Sequence, residues 1–302
     1  MTAFQLPKAF HLPDIAHRHL DIDGLRIFYR ETGPIDAPTL LLLHGFPSAS
    51  HQFRRLFDAL GQHFHLIAPD YPGFGHSDAP ASAREGGTLH YSFDLLADVM
   101  EKFCQQLQLQ RFSLYLFDFG APVGFRLATR HPEWIAGLII QNGNAYVEGL
   151  SELAKGMISL RPGVADAEAK IADILTLPIT QMQYLGGTTQ AELVAPEGWT
   201  LDQHFLDQPG RKAIQIDLAL DYHRNVALYP EWQAWLRQHQ PPTLIVWGRN
   251  DAFFPEAGAH AYLRDLPSAA LHVLDTGHFA LEEKLPQIAP LIANFLQQNV
   301  AG

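Results

Sequence analysis

The sequence predicts an α/β fold: a mostly parallel sheet covered by helices on both faces, with a helical insertion late in the chain. Short apolar runs of strand length alternate with segments of helical periodicity from about residue 40 onward. The runs at 112–117 and 243–247 are apolar almost throughout rather than alternating, which marks strands buried on both faces. Between about 145 and 237 the rhythm breaks into helix-rich sequence without a convincing strand.

Residues 19–31 read as two short strands around Asp23-Gly24, a tight-turn dipeptide. Residues 40–43 form an apolar strand feeding a His44-Gly45 loop, and Ser48 or Ser50 is expected to cap a helix carrying Phe53, Leu56 and Leu60. A strand at 65–68 ends at Pro69, where Asp70-Tyr71-Pro72-Gly73 supplies a turn. Residues 77–91 are polar, small and glycine-containing, the composition of a surface loop. A helix from Ser92 then places Leu95, Leu96, Val99, Met100, Phe103 and Leu107 at helical spacing. Strands follow at 112–117, 138–141, 243–247 and 271–274, with helices at 120–129, 256–264 and 285–298.

The 302 residues are 47% hydrophobic and 18% charged, an ordinary globular composition. A formal charge of −11 offers no basic footprint for nucleic acid or anionic membranes. Cys104 is the only cysteine, which rules out an internal disulfide, and its helical setting reads as a buried thiol. His17/His19 and His63/His65 are alternate pairs without a third ligand nearby, read as strand-end residues rather than metal ligands. No leader pattern and no membrane-length apolar stretch is read, so a cytoplasmic location is the expectation.

Three motifs occur in order. His44-Gly45-Phe46-Pro47 follows a buried strand; Leu116-Phe117-Asp118-Phe119-Gly120-Ala121 lies where a strand turns into a helix; Gly277-His278-Phe279 comes late, preceded by Trp247-Gly248-Arg249-Asn250-Asp251. The second resembles the nucleophile elbow of the α/β-hydrolase family, G-x-S-x-G, with Leu116 in place of the leading glycine and Asp118 in place of serine. Gly120, Ala121 and Gly124 supply the small neighbours such a turn needs. Singly, Asp118 could be a helix N-cap, Asp251 a turn residue and His278 structural. Their common order, nucleophile then acid then histidine, favours a triad.

A carboxylate with an ordinary pKa of about 3.9 is already ionised near neutral pH. It can attack saturated carbon and form an alkyl ester. His278, oriented by Asp251, would then activate water against the Asp118 carbonyl, and the backbone N–H groups of Phe46 and Phe119 would hold the oxyanion. After the strand ending near Gln141, where some relatives carry the acid, this chain has Asn142 and Asn144, which leaves Asp251 as the candidate.

HGFP, the segment Tyr71-Pro72-Gly73-Phe74-Gly75-His76-Ser77-Asp78 and the aspartate elbow resemble the epoxide hydrolase and haloalkane dehalogenase branch of that family. The resemblance implies a core domain of residues 1–144 and 238–302, a helical cap of 145–237, no metal or organic cofactor, and a small apolar organic substrate with water as co-substrate. Epoxide hydrolases use cap tyrosines to assist the departing oxygen. Tyr222-His223-Arg224-Asn225 resembles their cap segment with the tyrosine displaced by one position, so Tyr184, Tyr222 and His223 are the cap candidates. Many dehalogenases place a tryptophan after the nucleophile to hold halide. Here Phe119 and Phe46 lack side-chain donors, although His223, Tyr222 or Trp199 could substitute. The reading taken forward is epoxide hydrolysis; haloalkane dehalogenation is the alternative, and a fold relative acting only by binding is a third.

Overall fold

The computed structural model describes residues 12–299; residues 1–11, where no leader pattern was read, and 300–302 lie outside the described residues. The strands are β1 (Ala16–Ile22), β2 (Leu25–Thr32), β3 (Thr39–Leu43), β4 (His65–Pro69), β5 (Phe112–Phe117), β6 (Ile135–Gln141), β7 (Thr243–Gly248) and β8 (Ala270–Leu274). They form one sheet in the order β1-β2-β4-β3-β5-β6-β7-β8. The β1–β2 and β2–β4 pairs are antiparallel and every later pair is parallel. Asp23 and Gly24 turn β1 into β2 with both φ angles positive, 53° and 85°, as a two-residue hairpin of this hand requires.

The helices are α1 (Arg54–Leu60), α2 (Phe93–Gln106), α3 (Gly120–Arg130), α4 (Glu152–Ser159), α5 (Ala167–Ile174), α6 (Leu177–Leu185), α7 (Glu197–Leu206), α8 (Arg211–Asp221), α9 (His223–His239), α10 (Ala257–Tyr262) and α11 (Ala280–Asn299). Alternate side chains of each central strand enter different cores. Leu41 and Leu43 of β3, Leu114 and Leu116 of β5, and Leu138 and Ile140 of β6 join the core shared with α2, α3, α9 and α10. Leu40, Leu42, Tyr115, Phe117 and Ile139 join the one shared with α1 and α11. Each such side chain contributes about 1.5–3 kcal/mol on burial, so the central strands are the sheet's anchor. The apolar runs in the sequence are the record of this two-sided burial.

Some local expectations change. Ser92 caps α2, its side chain accepting from Leu95 N at 3.1 Å. Ser48 and Ser50 cap nothing: a 3₁₀ turn over Ser50–Phe53 precedes α1, and Ser50 Oγ instead accepts from Arg30 Nε at 3.1 Å. The segment 77–91 is loop apart from one 3₁₀ turn, Ala83–Glu85. Cys104 is buried, and burial pushes its thiol pKa up. Helices α4 to α9 fill the interval between β6 and β7, so the insertion sits over the carboxyl ends of the parallel strands. Among the described residues no helix is long and apolar enough to cross a membrane, and no group of three or more His, Cys, Asp or Glu is placed to hold a metal ion.

Candidate active site

The chain leaves β5 at Phe117 and enters α3 at Gly120, with Asp118 between them in the left-handed region at φ 48°. A non-glycine residue held there stores backbone strain of order 1–3 kcal/mol, and the return is a side chain presented at the apex of a sharp turn. Two glycines permit the turn. A Cβ on Gly120 would lie 2.1 Å from the Leu43 carbonyl oxygen, and one on Gly45 would lie 2.3 Å from the Asp118 Cβ.

The loop after β3 supplies a partner. Phe46 N donates to Asp118 Oδ1 at 2.6 Å, and Phe119 N also bonds the carboxylate. His44 steadies that loop from beneath: Nδ1 donates to Gly45 O at 3.1 Å and Nε2 accepts from Tyr71 N at 3.2 Å. Burial pushes the His44 pKa down to about 4, which keeps the ring neutral and able to accept.

His278 lies on the loop between β8 and α11. Its Nδ1 is 2.6 Å from Asp251 Oδ2 and its Nε2 is 3.8 Å from Asp118 Oδ2. The first is a hydrogen bond; the second is too long for one and leaves Nε2 facing the carboxylate. Asp251 is saturated. Its Oδ1 accepts from Phe253 N (2.8 Å) and Phe254 N (3.2 Å), and its Oδ2 also accepts from Asn142 Nδ2 at 2.8 Å. Burial alone would lower the His278 pKa, but Asp251, its hydrogen bond and Asp118 raise it above the ordinary value. Burial raises the Asp118 pKa, against the pull of His278 and the two N–H groups.

Asn142, at a rival position for the acid, has a different place. It sits at φ 45° just past β6, accepts from Gly248 N at 2.9 Å and donates to Asp251. It thereby ties the end of β6 to the loop carrying the acid. Gln141 is a further contributor that sequence reasoning missed: its Nε2 donates to the His278 carbonyl at 2.9 Å.

A cavity of about 140 Å³ opens above Asp118 and His278. Phe46, Phe119, Phe253, Phe254 and Tyr222 line its lower part; Met157, Ile171, Ile174, Leu175, Ile179 and Met182 dominate the roof, with the amides Gln183 and Gln215. The Tyr222 ring lies 5.8 Å from that of Phe119, and its hydroxyl bonds Tyr229, which also accepts from Asn144 Nδ2. Burial and the neighbouring Tyr229 and Asp118 push the Tyr222 pKa well up, so the phenol stays protonated.

The other cap candidates lie elsewhere. Tyr184 is fully buried away from the cavity lining, stacked on Phe279 at 3.8 Å with its hydroxyl donating to Asp202 at 2.6 Å. His223 Nδ1 donates to the Leu220 carbonyl at 2.9 Å, and Trp199 packs edge-on to Tyr184; neither ring lines the cavity. Their sequence positions fitted, but neither the Tyr184 nor the His223 side chain reaches the cavity lining.

Residues 38–285 match the family described as alpha/beta hydrolase fold, so the chain belongs to the α/β-hydrolase-fold family, and it is a hydrolase. Its relatives include epoxide hydrolases and haloalkane dehalogenases. The uncharacterized hydrolase YNR064C of Saccharomyces cerevisiae is 39% identical over 282 residues, covering 92% of this chain and 95% of that protein. Epoxide hydrolase 2 of Caenorhabditis elegans is 24% identical over 293 residues, covering 93% and 80%. The crystal structure of haloalkane dehalogenase DbeA from Bradyrhizobium elkani superposes with a TM-score of 0.75 at 25% identity, covering 93% of this chain and 99% of that one.

Proposed function

We propose that the protein is a cofactor-independent epoxide hydrolase that works through an ester on Asp118. The core is read as residues 1–144 and 238–302, the cap as 145–237, and the location as cytoplasmic. One Asp118 oxygen attacks an epoxide carbon; that carbon–oxygen bond breaks and the departing oxygen takes a proton from Tyr222, whose hydroxyl turns to it from Tyr229. Water next gives a proton to His278 Nε2 and attacks the Asp118 carbonyl carbon. The oxyanion faces Phe46 N and Phe119 N, which already bond the carboxylate in the resting state. Collapse breaks the ester, the diol oxygen takes the proton from His278, and the carboxylic acid proton returns to Tyr222. Asp251 keeps the imidazole Nδ1 protonated and stabilises its charged form.

The observation that carries the epoxide reading is Tyr222. It is a protonated phenol lining the cavity beside the nucleophile, whereas no indole lines that cavity among the described residues. An alkoxide needs a proton and a halide does not, so a phenol suits the first leaving group. The likeness to a dehalogenase structure favours haloalkanes as the second reading.

Mass spectrometry of His278→Ala after exposure to mixed epoxides and haloalkanes tests both. The expected result is an adduct on Asp118 with the mass of the epoxide. An adduct carrying an alkyl group from the haloalkane alone selects the second reading, and no adduct on Asp118 sinks the mechanism.

A further inference from the structure

Gln215 stands on α8 in line with Ala219 and Tyr222, and all three face the cavity. That spacing of four and then three residues is one face of a helix. The side chain is 3% exposed and its Oε1 has no hydrogen-bond partner. The helices packed against α8 line the cavity with hydrocarbon, Ile171, Ile174 and Leu175 from the α5 segment and Met157 and Ile158 from α4. A buried amide oxygen without a partner is an unfavourable placement that well-packed apolar interiors avoid. Here the side chain that carries it also lines the cavity.

We propose that Gln215 is a specificity subsite that binds a neutral amide or hydroxyl group on the substrate, at the end remote from the reacting carbon. The subsite rests on the reading of this cavity as the place where Asp118 meets its substrate. Remoteness follows from the helix: a rise of about 1.5 Å per residue separates the backbones of Gln215 and Tyr222 by about 10 Å, and Tyr222 is the residue beside the catalytic floor. Neutrality follows from the lining. No lysine or arginine lines the cavity among the described residues, and Asp118 lies at its base, so an anion would have no counter-charge. A carboxamide offers both an acceptor and two donors and can turn about χ3 to present either. An amide on the ligand satisfies both ends at once; a hydroxyl satisfies one.

The probes are benzamide and its hydrocarbon isostere isopropylbenzene, neither of which reacts, with binding measured by calorimetry on wild type and Gln215→Met. Benzamide affinity should fall by at least about tenfold in the variant, about 1.4 kcal/mol, while isopropylbenzene binds as well or better. Equal loss of both probes, or benzamide bound equally by both proteins, overturns the subsite. Wild-type protein gives an independent readout should the variant not fold: the Gln215 side-chain amide resonances shift with benzamide and not with isopropylbenzene, and equal shifts overturn the proposal. A selective benzamide loss without turnover of any epoxide or haloalkane upholds the subsite and sinks the Asp118 chemistry. Turnover intact with no selective loss does the reverse.

Discussion

On the cavity floor Asp251 alone receives four hydrogen bonds, from His278, Asn142, Phe253 and Phe254, and Asp118 is bonded by two backbone N–H groups. Across the cavity the roof helices α4 to α6 present mainly hydrocarbon, from Met157, Ile171, Ile174, Ile179 and Met182, with the Gln183 amide among them, and the Gln215 Oε1 is unpartnered. The floor is built from strand ends and loops of the core, where backbone groups fix side chains to within tenths of an ångström. The roof is built from helices that meet the cavity mainly with hydrocarbon, their polar contacts with the core lying outside it, as between Asp202 and His51. The difference teaches that the hydrogen bonds that fix side chains gather at the floor, while the roof shapes the cavity mainly with hydrocarbon.

That separation can be broken experimentally. The largest effect is expected from Asp251→Asn, which should lower kcat by about 10³–10⁴-fold while ester formation on Asp118 persists in a single-turnover experiment; equal slowing of both steps would mean that Asp251 does not act through His278. Gly45→Ala comes next. Its Cβ would meet the Asp118 Cβ at 2.3 Å, and displacing the nucleophile should cost about 10²-fold in kcat; unchanged kcat would show that the floor yields as readily as the roof.

The pH profile sharpens the same point. His278 must be neutral to take a proton from water, and its pKa is raised, by Asp251 and Asp118 against burial. Activity should therefore fall as pH drops through a midpoint above about 6.5, the ordinary histidine value, by about tenfold per unit below it. A midpoint below that value would contradict the floor's electrostatics. The smallest change belongs to the roof: Ile174→Val removes one methylene, about 0.8 kcal/mol, and should raise KM about fourfold with kcat unchanged. A kcat effect there would couple the two regions.

The floor was legible in the sequence because its constraints are local. A carboxylate between an apolar run and Gly120-Ala121, a histidine after Gly277 and an HGFP loop each record a backbone turn that few residues satisfy. The two-sided strands were equally legible as unbroken apolar runs. Asn142 was noticed only as a missing acid; that it would hold the acid from a neighbouring strand depends on the β6–β7 pairing, which no local pattern records. In the roof, Tyr184 occupied a plausible place but turned its hydroxyl to Asp202, a residue 18 positions away. Gln215 went unremarked, although its spacing from Ala219 and Tyr222 was a signal available in the sequence.

The Tyr184 contact has a consequence for traffic through the enzyme. Asp202 of α7 takes the Tyr184 hydroxyl at 2.6 Å and lies 2.8 Å from His51 Nε2, which belongs to the 3₁₀ turn before α1. Asp202 is 0% exposed, so lifting this part of the insertion would break both contacts of a carboxylate held between Tyr184 and His51. The insertion is thus tied to the body here, and the cavity reaches the surface at Leu153, which lines it and is 47% exposed.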